Sequence, residues 1–169
     1  MRCANRGYVL SQRLHRDVDF SAQNPTAITE ASMARKPKTW AEKMLAPPAH
    51  VERLEKNFGG MPAGALMLIS TPQEVAAFVK DRVPRGETIT IPELRVALAQ
   101  AHGAVGTCPL TTSIFLRIAA EAAWDEMQAG ASADDVTPFW RAVDPKSDLA
   151  KKLRCGPDWL AWQRATERT

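Results

Sequence analysis

The sequence predicts a mostly α protein with a small β component, arranged as a winged helix-turn-helix. Three observations predict it. Helix starts recur as a threonine followed three residues later by glutamate, at Thr39/Glu42, Thr71/Glu74 and Thr90/Glu93. A longer apolar segment, from Thr111 to Gly130, steps at helical spacing. Residues 137–143, Thr-Pro-Phe-Trp-Arg-Ala-Val, then form a short aromatic run between Asp135 and Asp144, which suits a strand. Two helices joined by a short connection, then a strand and a basic loop, are the element order of a winged helix.

Taken in order, residues 1–38 stand apart. Arg2, Arg6, Arg13 and Arg16 precede the first acid, Asp17, and no apolar run is long enough for a secretory signal. Such a start has the composition of an organelle transit peptide. The simpler expectation is a disordered tail, or an upstream extension of a chain whose natural start is Met33. Residues 39–70 read as a helix from Thr39 ended by Pro47-Pro48, a second helical piece over 50–58 stopped at Gly59-Gly60, and a strand over 65–69. They are expected to pack on the domain formed by residues 71–169.

That domain opens with Thr71 as N-cap and Pro72 at the first helical position. Val75, Phe78, Val79 and Val83 make the buried face, and Pro84-Arg85-Gly86 breaks the helix. A brief β-prone run, Thr88-Ile89-Thr90, leads into the next helix, along which Leu94, Ala97, Leu98 and Ala101 step to Gly103. Thr111 and Thr112 are N-cap types for the longer helix, with Ile114, Phe115, Ile118, Ala119, Ala122 and Ala123 as its inner face. Pro138 makes the following strand an edge or a bulged one, because proline cannot donate a ladder hydrogen bond. A final helix after Cys155-Gly156-Pro157 takes its apolar body from Trp159, Leu160 and Trp162.

The whole chain sets further bounds. Its 169 residues and 45% apolar content suit one globular domain with a tail. The longest apolar runs are too short to span a bilayer. Twenty-two basic residues against 19 acidic ones are a mild bias and do not mark a nucleic-acid binder. Cys3, Cys108 and Cys155 have no paired spacing, so a reduced, cytoplasmic setting is expected. His15, His50 and His102 are scattered; no metal site and no cofactor are expected, and the chain is expected to be a monomer.

From Pro72 to Glu167 the sequence resembles the DNA-binding domain of the alkylguanine-DNA alkyltransferases. Val83-Pro84-Arg85-Gly86 resembles that family's Ile-Pro-x-Gly turn. Pro138-Phe139-Trp140-Arg141 occupies the place of its Pro-Cys-His-Arg motif, and Leu153-Arg154-Cys155-Gly156 with Arg164-Ala165-Thr166-Glu167 resembles its closing helix. Cys108-Pro109-Leu110-Thr111-Thr112 together with Thr137-Pro138-Phe139-Trp140-Arg141 is similar to a group of small bacterial proteins described only as alkyltransferase-related. In the family a cysteine thiolate takes the alkyl group from the guanine oxygen, activated by a histidine through water. Here Phe139 and Trp140 stand at those two places, and Ile91 stands where the family has a tyrosine. No arginine near Thr112-Ser113-Ile114 matches the one that replaces the flipped base.

The resemblance implies DNA binding, at alkylated or otherwise extruded bases, without alkyl transfer, in the manner of alkyltransferase-like proteins linked to DNA repair. The expected DNA-binding residues are Thr111, Thr112, Ser113, Arg117, Pro138, Phe139, Trp140, Arg141, Lys151 and Lys152. Hydroxyls and free N–H groups at the helix start would touch a phosphate. Phe139 and Trp140 would line a base pocket, unless strand alternation sends one of them into the core. Arg141 would hold backbone geometry or a phosphate. The supposed recognition helix sets one base, Arg117, against Glu121, Asp125 and Glu126. That acidic side keeps a protein-interaction module open as an alternative. An enzymatic alternative rests on Cys108 as a relocated nucleophile at a helix start, with His102 the nearest histidine in sequence; against it stands the ordinary small buried thiol.

Overall fold

The structure, a computed structural model, describes residues 36–169. The tail or targeting readings of residues 1–35 lie outside the described residues. About half of the described chain is helical, and a three-stranded sheet completes it. The elements are α1 (Trp40–Met44), β1 (His50–Arg53), β2 (Leu66–Ile69), α2 (Pro72–Arg82), α3 (Ile91–Gln100), β3 (Gly106–Thr107), α4 (Pro109–Gln128) and α5 (Gly156–Glu167). Two 3-10 turns, Phe139–Arg141 and Ala150–Lys152, lie between α4 and α5. Among the described residues no helix is long and apolar enough to cross a membrane.

The threonine caps form as their spacing requires. Thr39 and Glu42 exchange both bonds of a capping box at α1, and Thr90 and Glu93 do so at α3. Thr71 accepts from the Glu74 amide at 3.1 Å. Val75, Val79 and Val83 are buried along α2, and Leu94 and Leu98 along α3. On α3 the third inner residue is Ala99, while Ala97 is half-buried and Ala101 exposed. Thr88-Ile89-Thr90 is extended but joins no sheet; the Ile89 amide bonds the Arg141 carbonyl at 2.9 Å.

Residues 50–58, expected as helix, are a strand and a turn. His-Val-Glu-Arg offers no apolar helical face, and its backbone pairs antiparallel with Leu66–Ile69, from His50↔Ile69 to Arg53↔Leu66. The reversal is closed by Phe58 and Met61, which exchange backbone bonds across Gly59-Gly60. Gly59 sits at φ +59°, and a Cβ there would lie 2.8 Å from Pro109 Cδ, so the turn approaches the start of α4 as only glycine allows. β3 runs parallel to β2 in register Met67↔Gly106.

α4 begins three to four residues earlier than the threonines suggest as caps. Cys108 is its N-cap and Pro109 its first residue. Its inner side is Leu116, Ala119, Ala120 and Ala123; Phe115 and Ile118 are half-buried and Ile114 is 46% exposed. The difference follows from α1, α2 and α3 packing on this helix from several directions. Gly130 ends it at φ +105°.

Residues 137–143 do not form a strand. In a strand Phe139 and Trp140 would face opposite sides. The 3-10 turn, with Pro138 ahead of it, instead sends both into the core, where they are 0% and 1% exposed. Phe139 stacks on Trp159 at 5.7 Å, and Trp159 meets Trp124 edge-on at 5.0 Å. Trp162, expected within the helix's apolar body, is exposed; Leu160 is buried beside half-buried Trp159.

Candidate functional site

The 3-10 turn is clamped from outside by Arg141. Its Nε and Nη2 donate to the Glu167 carboxylate at 3.0 and 2.8 Å, and its Nη1 to the Val83 carbonyl at 2.8 Å. The Gly86 amide adds a 3.3 Å bond to the same carboxylate. Gly86 has φ +81°, and a Cβ there would press on the Glu167 carbonyl at 3.3 Å. The arginine and glutamate side chains are only 13% and 5% exposed. Burial alone would raise the Glu167 pKa, but the bonds from Arg141 and Gly86 outweigh it and hold the carboxyl below its ordinary value. Engaged through all three of its nitrogens, Arg141 holds backbone geometry at the turn. Residues 83–86, Arg141 and Glu167, three of the segments that carry the resemblance, thus meet in one contact network.

Phe139 and Trp140, expected to line a base pocket, are packed into the core. A cleft of about 290 Å³ opens next to them instead, lined by residues 88–92, Ala142, Asp144, Ser147 and Arg164. That volume is at the lower edge of the ~300–1,000 Å³ range of small-ligand sites. Ile89, Ile91, Pro92 and Ala142 supply apolar walls. Arg164 donates Nε to the Trp140 carbonyl and Nη2 to the Val143 carbonyl at 3.0 Å, which fixes its guanidinium at the cleft edge. Burial pushes its pKa down, partly offset by Asp144. Asp144 Oδ1 accepts from the Lys146 amide at 2.9 Å, and Thr90 Oγ1 donates to Glu93 at 2.7 Å. Among the described residues Thr88 Oγ1, Asp144 Oδ2 and Arg164 Nη1 make no hydrogen bond, so the residues that line the cleft carry unpaired donor and acceptor atoms.

The start of α4 is less available than its hydroxyls suggest. Thr112 is fully buried and donates to the Cys108 carbonyl at 2.8 Å, with Thr107 Oγ1 at 2.7 Å. Thr111 and Ser113 turn back to the Cys108 and Pro109 carbonyls at 3.4 and 3.2 Å. α3 connects this end of α4 to the cleft. Ile91 lines the cleft, and one turn later Arg95 donates to the Thr107 carbonyl at 3.0 and 2.8 Å.

The remaining predicted residues fall elsewhere. Arg117 Nη2 donates to the Lys152 carbonyl at 3.3 Å, so α4 and the second 3-10 turn share a surface. Lys151 pairs with Asp148 at 2.8 Å. The aromatic cluster meets α4 at Trp124, about 16 Å along the axis from Ser113 at ~1.5 Å per residue. The residues expected as one site therefore occupy three places: the α4 start, the Arg117–Lys152 surface and the sealed turn.

The acidic side of α4 is also not what it looked like. Glu121 is 1% exposed and accepts from Arg154, which reaches Asp125 at 2.6 Å as well. The bond to Glu121 raises the Arg154 pKa despite burial. Cys108 is buried beside Met61 and Met67, its amide bonded to the Leu68 carbonyl at 3.0 Å. His102 pairs with Glu74 at 3.2 Å.

Thr88, Asp144, Ser147 and Arg164 escaped the sequence reading. Asp144 and Ser147 follow the substituted motif within six residues, and Arg164 lies in the closing-helix segment; that proximity was the available signal. Comparison with family models, curated proteins and solved structures finds no match to this chain.

Proposed function

We propose that this chain is a DNA-binding protein of alkyltransferase-like type, which takes an extruded base, alkylated guanine foremost, into the cleft between residues 88–92 and 142–147 and performs no alkyl transfer. In this reading α3 and α4 act as a helix-turn-helix, and residues 144–154 act as a wing without a strand. The observation that carries it is the position of the cleft, which borders the Pro138–Arg141 turn on one side and Ile91 on the other. Apolar walls receive the faces of a base, Asp144 accepts from an exocyclic amino group, and Arg164 donates to a ring nitrogen or oxygen. Transfer is excluded at the turn because neither Phe139 nor Trp140 carries a nucleophile. Cys108 lies in a separate apolar cluster.

The test is a low-salt titration of duplex carrying one O6-alkylguanine against the same duplex without it. A preference of about tenfold or more, the ~1–3 kcal/mol of one well-made polar base contact, is expected. It should disappear in Thr88→Trp, which fills the cleft from an exposed position. Equal affinity for both duplexes ends this reading, and a mass adduct on Cys108 ends the exclusion of transfer.

A protein-interaction module is the second reading. Leu110 and Ile114, one helical turn apart on α4 and 65% and 46% exposed, favour it. A partner protein bound by the wild type and lost in Leu110→Glu/Ile114→Glu, with DNA binding absent throughout, would replace the DNA reading.

A further inference from the structure

We propose that the surface formed by Trp40 and Lys43 of α1, Arg117 of α4 and Lys152 of the second 3-10 turn grips the phosphodiester backbone of DNA without regard to sequence. The inference rests on the nucleic-acid reading above but uses none of the cleft residues. It draws α1, which lies outside the segment that carries the resemblance, into the binding surface.

The argument starts from charge. The described residues carry 17 basic and 16 acidic side chains, so no overall field attracts a polyanion. Attraction must come from cations left without carboxylates. Several basic residues here are already neutralised: Arg141 by Glu167, Arg154 by Glu121 and Asp125, and Lys151 by Asp148. Lys43, Arg117 and Lys152 make no ion pair among the described residues; Lys43 and Arg117 meet at one ring, and Arg117 reaches the Lys152 backbone.

Trp40 is the post that gathers them. The Lys43 ammonium lies 3.7 Å from the ring centroid and the Arg117 guanidinium 5.7 Å from it, both within the ~6 Å reach of a cation–π contact. The bond from Arg117 to the Lys152 carbonyl brings the second turn alongside. Arg117 Nε is buried with no hydrogen-bond partner, so the guanidinium is incompletely satisfied as it stands. The carboxylates nearest in sequence are held in place by other contacts, Glu42 by the Thr39 cap and Asp148 by Lys151. Lys43 and Arg117, held at one ring and in no ion pair among the described residues, repel one another. A phosphate relieves that repulsion and releases condensed counterions from the DNA, which makes such binding steeply salt-dependent. A duplex backbone presents phosphates in a regular row, and cations drawn from three elements suit a row better than a single ion.

The experiment measures affinity of the full chain for a plain labelled duplex across a salt series. It compares wild type, Lys43→Glu/Lys152→Glu, and a charge-matched control, Lys56→Glu/Arg82→Glu; Lys43 is half-buried and the other three are exposed. The first pair is expected to weaken low-salt binding by ten- to a hundredfold and to lower the slope of log K against log salt by about 2, while the control changes little. The same variants are titrated with the alkylguanine duplex. The patch variant should lose affinity for both duplexes by the same factor and keep their ratio. Equal effects of patch and control variants, or an unchanged slope, overturn the patch and leave the cleft reading standing. A wild type without alkylguanine preference but with the patch effect intact overturns the cleft reading alone. No binding to either duplex overturns both. Trp40→Leu separates placement from charge: it should weaken binding severalfold with the slope unchanged, and unaltered affinity removes the tryptophan from the proposal.

Discussion

The two sides of the Phe139–Arg141 turn differ in a way that organises the molecule. On the inner side Phe139 and Trp140 are sealed against Trp159, while the Arg141–Glu167 pair locks the turn to the end of α2 from outside. On the outer side, one to six residues further along, Ala142, Asp144 and Ser147 border an open cleft with unpaired polar atoms. The position at which the resembling family carries its reactive sulfur thus belongs to the core here. The cleft lies beside that position. The turn and the cleft can therefore be altered separately, because different side chains carry them.

The largest effect should come from reopening the sealed side. Phe139→Cys puts a thiol back at the motif position but leaves a cavity, and destabilisation of about 3–4 kcal/mol is expected by denaturant unfolding, near the lower end of the range for large-to-small core changes. Intact-mass analysis after incubation with alkylguanine duplex should still find no adduct; an adduct would mean that the turn opens readily and that the contrast between its two sides is false.

Next is the clamp. Glu167→Ala should cost about 3 kcal/mol, because it strands Arg141 beside a buried carbonyl. Its pH signature sharpens the comparison. The Glu167 pKa is lowered on folding from 4.5, so its contribution is fully present above pH 4.5 and lost as pH falls through the lower folded value. Wild type should shed stability on that acid limb and Glu167→Ala should shed less; parallel limbs would show that the pair contributes nothing.

Smaller again is Cys108→Ala. Cys108 is the N-cap of α4 but its thiol makes no capping bond, and it packs with Met61 and Met67. A loss of about 1 kcal/mol in thermal unfolding, with DNA affinity unchanged, is expected. Lost affinity would return Cys108 to the site. Smallest for stability is Thr88→Trp on the open side, expected within ±0.5 kcal/mol of wild type by denaturant unfolding. A large loss would mean that the cleft is structural space rather than a free surface.

Much of the helical framework was legible because caps are local. Thr39/Glu42, Thr71 and Thr90/Glu93 each need only residues three apart, so sequence spacing decides them. What was lost depends on distant partners. β1 has no strand pattern of its own and exists because Leu66–Ile69 lies opposite. The inner face of α4 moved to Leu116 and Ala120 because several helices cover it. Thr137–Val143 looked like a strand from aromatic content alone, yet two adjacent aromatics both bound for the core require a turn. At the candidate site, Arg141 was found through the resemblance, but its engagement by Glu167 joins residues 26 apart. The cleft was invisible because its polar edge comes from Thr88, Asp144 and Arg164, three ordinary residues that only the fold assembles.

The most direct test of the central claim is a backbone-amide NMR titration of the isotope-labelled chain with O6-alkyl-deoxyguanosine alone, without a DNA backbone. Saturable shifts confined to Thr88, Ile89, Ile91, Asp144 and Ser147, with Phe139 and Cys108 still, are the expected result. Shifts centred on Cys108 and Met61, or no saturable shift at all, would contradict it.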